Sequence, residues 1–83
     1  MITNQQVREA PLYAMKNKKH IDRGEMCGCY YCLKVFNKSE IKEWTDNHQT
    51  ALCPFCSVDS VLPETYGVPL DEQNLQMLYD HWF

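Results

Sequence analysis

Two cysteine pairs, Cys29-Tyr-Tyr-Cys32 and Cys53-Pro-Phe-Cys56, give the pattern C-x2-C-x20-C-x2-C. Two residues between cysteines let one tight turn aim both sulfurs at a point, while backbone N–H groups of the turn hydrogen-bond the thiolates. Two such turns face to face make a closed tetrahedral site of four sulfurs, which suits zinc. An unfolded chain has no ready-made site of this kind, so binding drives folding; apparent energies of about 10–16 kcal/mol accompany structural zinc. Cys29, Cys32, Cys53 and Cys56 are therefore the expected ligands of one Zn2+. Cys-Pro-Phe-Cys also suits an iron site of rubredoxin type, and that alternative stays open.

Other chemistries fit less well. Taken alone, Cys53-Pro-Phe-Cys56 matches the redox motif of glutaredoxins, but there the motif follows the first strand and most of a sheet comes afterward. Here fewer than thirty residues follow Cys56. A hydrolytic zinc site needs an open position for water, which four thiolates close. The deaminase signature needs H-x-E and P-C-x-x-C, and neither is present. His48 beside Asn47 hints at an HNH nuclease, but no paired His or Asp pattern follows. No catalytic residue is assigned, and the chain is read as a non-enzyme. Cys27 could replace Cys29, yet Cys27-x4-Cys32 makes a poorer turn, so it is expected as a small buried residue beside the site. His20, His48 and His81 are expected at the surface or at helix ends.

The elements that position these cysteines must be few. Eighty-three residues make one domain, and a chain this short buries only about 60–65% of its unfolded surface. Small domains usually add disulfides, a metal or a partner. The N-terminal stretch has no apolar run of signal-peptide length, so a reducing cytoplasm is expected, where paired cysteines serve metals more often than disulfides. The domain divides into a helical segment (1–24), a two-knuckle metal core (25–62) and a loop with a C-terminal helix (63–83). Together they predict a small α+β fold of zinc-ribbon type.

Thr3-Asn-Gln-Gln6 fits a capping box, but Pro11 favours a helix starting near Ala10 and running to Asp22, with Gly24 as its stop. Asn37 with Glu40 predicts a short helix to about Thr45, carrying Ile41 and Trp44 at i,i+3. Thr50-Ala-Leu52 reads as extended, and Ser57 to Leu62 as a strand. Pro63 and Pro69 bracket a loop with Gly67. Asp71 caps a final helix whose Leu75, Leu78, Tyr79 and Trp82 form one apolar stripe, expected to pack on the metal-bound half.

The blocks CGCYYC (Cys27 to Cys32), SEIKEW (Ser39 to Trp44), TALCPFC (Thr50 to Cys56), DSVLPE (Asp59 to Glu64), GVP (Gly67 to Pro69) and the closing Trp82-Phe83 resemble a family of small bacterial cytoplasmic proteins, also seen in mobile-element contexts. The resemblance implies a zinc-ribbon or treble-clef-like module with the same four cysteines as ligands. It implies no activity. Family patterns often carry glycine after the second pair, where this chain has Ser57.

Charge is unevenly spread. All eight Lys and Arg lie between Arg8 and Lys42 against four acids, a balance of +4; from Glu43 onward there are seven acids and no base, a balance of −7. Zinc on four thiolates adds about −2. The two halves either attract each other or simply solvate the surface, or else a charged face meets a partner. Two functions follow. One is a protein-interaction or adaptor module that presents Tyr30, Tyr31 and the C-terminal aromatics to another protein. The other is a nucleic-acid-binding ribbon using Lys16, Lys18, Lys19, Arg23, Lys34 and Lys38, with Tyr30 or Tyr31 stacking on a base. The pI of about 5.5 speaks against the second. Whether the basic side chains pair with acids decides between them.

Overall fold

Thr3 and Gln6 close the capping box reciprocally: the Gln6 N–H donates to Thr3 Oγ1 at 3.1 Å and the Thr3 N–H to Gln6 Oε1 at 2.9 Å. In the computed structural model, which describes residues 2–83, this box starts helix α1, Asn4–Ala14. Ile2 before the cap and Val7 are both buried in one cluster, the arrangement of a hydrophobic staple. The helix thus begins earlier than the sequence suggests, and Pro11 lies inside it. Proline has no N–H to give the Val7 carbonyl four residues back. The Trp82 indole fills that role, its Nε1 donating to Val7 O at 2.8 Å. Tyr66 Oη donates to the neighbouring Gln6 carbonyl. Tertiary donors offset the defect that a local reading of Pro11 treats as a boundary.

Nor does one helix run to Asp22. Met15 is extended and Lys16 is left-handed, with φ of 47°. Thr50 Oγ1 accepts the Lys16 N–H at 2.7 Å and donates to Asp46 at 2.8 Å. The chain then re-enters helix α2, Lys18–Arg23, which ends at Gly24 as expected. At the break, fully buried Asn17 donates to Tyr13 O at 2.9 Å and Val61 O at 2.8 Å, and accepts from the Ala51 N–H at 3.3 Å.

Strands β1 (Met26–Cys29), β2 (Val35–Asn37) and β5 (Val61–Pro63) form an antiparallel sheet in the order β2-β1-β5. Cys27 pairs with Phe36 on one side and Pro63 on the other. Alternation along a strand sends neighbours to opposite faces. Cys27, Cys29 and Val61 join Ile21, Phe36, Ala51 and Cys53 in one cluster. Leu62 joins Val7, Ala10, Ala14, Leu75 and Leu78 in the other. Gly28 lets the final helix, α3 (Glu72–Trp82), approach: a Cβ there would stand 3.3 Å from a Leu75 methyl.

Asn37 and Glu40 do form a capping box, but it opens only a single 3-10 turn, Lys38–Glu40. The expected helix to Thr45 is instead strand β3, Trp44–Thr45, paired with β4, Thr50–Ala51. Asp46, Asn47 and His48 turn the hairpin with φ of 54°, 59° and 66°. Asp and Asn tolerate that region better than most residues. Ile41 and Trp44 still pack on the metal-side cluster, which an extended chain permits as well as a helix does.

A 3-10 turn, Glu64–Tyr66, ends at left-handed Gly67. Glu64 accepts the backbone N–H groups of Glu25 and Met26, which lowers its carboxyl pKa. Helix α3, Glu72–Trp82, is capped by Asp71, whose Oδ1 accepts from Asn74 at 2.8 Å. Leu75 and Leu78 bury the predicted stripe, while Trp82 stays 41% exposed. The helix packs on α1 and against residues of the 25–62 core, clustering with Tyr30 and Leu62 and seating Leu75 over Gly28, while the cysteines themselves belong to the other cluster. At the surface Tyr79 adds a further contact with the knuckle, beside Tyr31.

Candidate metal centre

Each cysteine pair opens the same five-residue loop. In the first, the Leu33 N–H returns to Cys29 O at 2.9 Å and the Cys29 N–H reaches Lys34 O at 3.0 Å. In the second, Ser57 returns to Cys53 O at 2.9 Å and Cys53 reaches Val58 O at 3.0 Å. The fifth residue of each loop is left-handed, Leu33 and Ser57 both at φ of 67°. Glycine is the residue that adopts this conformation at least cost, and Ser57 adopts it without being one.

The loops bring four sulfurs together. All four Sγ atoms of Cys29, Cys32, Cys53 and Cys56 lie within 4.8 Å of one another. Across the loops, Cys29 and Cys56 stand 3.6 Å apart, and so do Cys32 and Cys53. A tetrahedral ion with metal–sulfur bonds of about 2.3 Å needs sulfurs about 3.8 Å apart. The cluster has the right number of ligands, type and size for one metal ion.

Backbone donors complete the fit. Tyr31 N–H points to Cys29 Sγ at 3.4 Å and Phe55 N–H to Cys53 Sγ at 3.4 Å. Lys34 and Val58 N–H groups do the same for Cys32 and Cys56. Each sulfur therefore has an amide donor two residues on. Cys29 has a further partner, the Ser60 hydroxyl at 3.1 Å, and Ser60 is buried. No spacing pattern in the sequence points to Ser60.

Without a cation the thiols resist ionising together. Burial, then the proximity of Cys29, pushes the Cys56 thiol far up, and burial raises Cys53 despite the amides of Phe55 and Cys56. Cys32 moves the other way: burial opposes its ionisation, but the Lys34 amide and the neighbouring thiols outweigh it. A divalent ion at the centre would offset the repulsion among all four. Cys27 lies outside the cluster; it is fully buried, with its thiol pushed up to about 12 by burial and the Glu64 charge. The three histidines also lie outside it: His20 is beside Tyr13, His48 in the exposed hairpin turn, and His81 against Trp82.

The expected binding residues separate. Tyr30 is buried against Phe83, its phenol raised to about 12 by burial and by Asp59, so it is not the exposed aromatic the sequence suggested. Tyr31 is 42% exposed and stacks edge-on against Phe83. Lys18 pairs with Asp22 at 3.0 Å and also lies over the Trp44 ring. Lys38 pairs with Glu25 at 3.2 Å, and Lys34 lies over Phe55. Lys16, Lys19 and Arg23 are exposed around α2. Both ion pairs found among the described residues thus lie within the basic half, and none joins the two halves.

No family model, curated protein or solved structure matches this chain. Among the described residues, no helix is long and apolar enough to cross a membrane.

Proposed function

We propose that the chain is a zinc-stapled adaptor: a small scaffold whose four-cysteine site is structural and whose work is to bind another protein. The observation that carries the reading is the closed set of four sulfurs, each with its own amide donor. Four thiolates with such donors fill a tetrahedral shell and leave no position for a reactive water. The ion would bind at Cys29, Cys32, Cys53 and Cys56 and supply fixed geometry and charge balance, not chemistry on a substrate. Zinc suits this role because it has no redox chemistry and no geometric preference of its own. Nucleic acid is the weaker partner class, because Lys18 and Lys38 are already paired with acids and Tyr30 is buried.

The test is elemental analysis of protein purified under reducing conditions, together with Cys53→Ser. About one zinc per chain and an unfolded variant are expected. A soluble Cys53→Ser protein with unchanged circular dichroism would refute the structural role, and iron in place of zinc would refute the choice of metal.

A further inference from the structure

The acidic half keeps its charge. Asp22 and Glu25, the two acids in ion pairs, both belong to the basic half. The seven acids from Glu43 onward form no ion pair with Lys or Arg among the described residues, although the Glu64 pKa is lowered by the Glu25 and Met26 amides and, to a smaller extent, by the Lys38 charge. Four of them accept hydrogen bonds from neutral groups: Asp71 from the Asn74 N–H, Glu64 from two backbone N–H groups, Asp46 from the Thr50 hydroxyl and Asp80 from the Gln76 amide. None of those contacts neutralises a carboxylate.

One part of this surface also exposes clustered aromatic rings. Tyr31 from the first knuckle meets Phe83 edge-on, centroids 4.9 Å apart, and Tyr79 at 5.9 Å. Tyr79 stacks on Phe83 at 5.5 Å and 27°. Beside them runs an open groove of about 270 Å3 lined by Tyr31, Cys32, Leu33, Gln76 and Tyr79. That is below the ~300–1,000 Å3 of typical small-molecule sites, and it suits one long side chain. No Lys or Arg lines it, and an acid stands beside it. The Gln76 amide donates to Asp80 at 2.9 Å, which fixes that carboxylate next to the lining. Cys32 belongs to the four-thiolate set, which carries about −2 with zinc bound. The nearest lysine in sequence, Lys34, is held over Phe55 of the other knuckle.

We infer that this groove, between the first knuckle and α3, receives an arginine from a basic segment of a partner protein. A guanidinium stacks on tyrosine faces and is weakly hydrated, so it suits an aromatic wall with a carboxylate at the rim. The inference names the partner chemistry of the adaptor reading and rests on it.

The experiment uses the zinc-loaded full chain and a fluorescein-labelled Arg-Gly repeat peptide of eight residues, followed by anisotropy. Peptides with citrulline or glutamate in place of arginine, and a labelled single-stranded oligonucleotide, serve as comparisons. Binding should weaken with salt and fall about tenfold or more with citrulline. Tyr79→Ala should weaken it about tenfold, in the range of a partly desolvated cation–π contact, and Asp80→Asn about threefold. Zinc content and circular dichroism of both variants should match the parent. Equal binding of the citrulline or glutamate peptide, or unchanged affinity in both variants, would overturn the inference. So would oligonucleotide binding that both substitutions abolish. A chain that holds zinc and ignores the arginine peptide removes this partner only; a chain that holds no zinc removes the structural-metal reading itself.

Discussion

Trp82→Phe should destabilise the protein by about 1–2 kcal/mol, and most of that loss should vanish when Pro11 is replaced by alanine. The Trp82 indole donates to Val7 O at 2.8 Å, and Val7 O is the carbonyl that Pro11 cannot serve. Phenylalanine retains much of the ring packing and removes the donor. A hydrogen bond of this kind is worth about 0.5–1.5 kcal/mol net, and a shielded carbonyl left without a partner adds to the loss. Trp82 is 41% exposed, so water partly replaces the donor and the total stays below about 2 kcal/mol. Pro11→Ala restores an N–H that can reach Val7 O. It also gains helix propensity of up to about 3 kcal/mol, less about 1 kcal/mol for the looser unfolded chain. In that background Trp82→Phe should cost about 0.5 kcal/mol, a coupling near 1 kcal/mol. The cycle is measured by urea unfolding followed by circular dichroism, with zinc in fixed excess because bound metal shifts apparent stability. Equal costs of Trp82→Phe in both backgrounds, within about 0.3 kcal/mol, would refute the reasoning.

Three further outcomes follow from single contacts. Asn17→Ala strips partners from three backbone groups and should cost about 2–4 kcal/mol; Asn17→Asp should be worse, because a carboxylate would face the Tyr13 and Val61 carbonyls. Thermal melts check this, since 1 kcal/mol moves the midpoint of a domain this size by about 4–8 °C. Ser57→Gly relieves a left-handed residue at φ of 67°; the gain of about 1–2 kcal/mol is partly offset by glycine's entropy, so the urea midpoint should rise by the equivalent of about 0.5 kcal/mol. A lower midpoint would show that the Ser57 side chain matters. Ser60→Ala removes the hydroxyl at 3.1 Å from Cys29 Sγ and should weaken zinc binding about tenfold in competition with a chromophoric chelator.

The cysteine spacing made the four-sulfur cluster legible before any coordinates, because a two-residue gap dictates a tight turn regardless of its surroundings. The Asp71 cap, the Leu75 and Leu78 stripe, the extended Thr50-Ala51 and the stop at Gly24 were legible for the same reason: each is set by neighbours in sequence. What escaped was set by partners far along the chain. Pro11 reads as a helix start until Trp82, at the other end of the chain, supplies its missing bond. Ile41 and Trp44 satisfy a helical spacing, yet the pairing of Trp44 with Ala51 makes them extended. Nothing near Asn17 marks it as a buried tie between α1, β4 and β5. Tyr30 and Tyr31 are identical in type and adjacent, and only the position of Phe83 and the core beneath separates the buried ring from the exposed one.

Strand β1 has no side to itself. Cys27 and Cys29 face the sulfur cluster while Gly28 between them seats Leu75, so one four-residue segment is floor to one layer and ceiling to the other. The two layers should therefore open together. On the structural-metal reading, stripping the ion would free Cys29 and with it the strand on which α3 rests, so the amides of a helix more than forty residues downstream should lose their protection from solvent exchange together with those of the knuckles. Equal loss of protection in helix and knuckles is the expected outcome, and a helix that stays protected while the knuckles exchange would refute it.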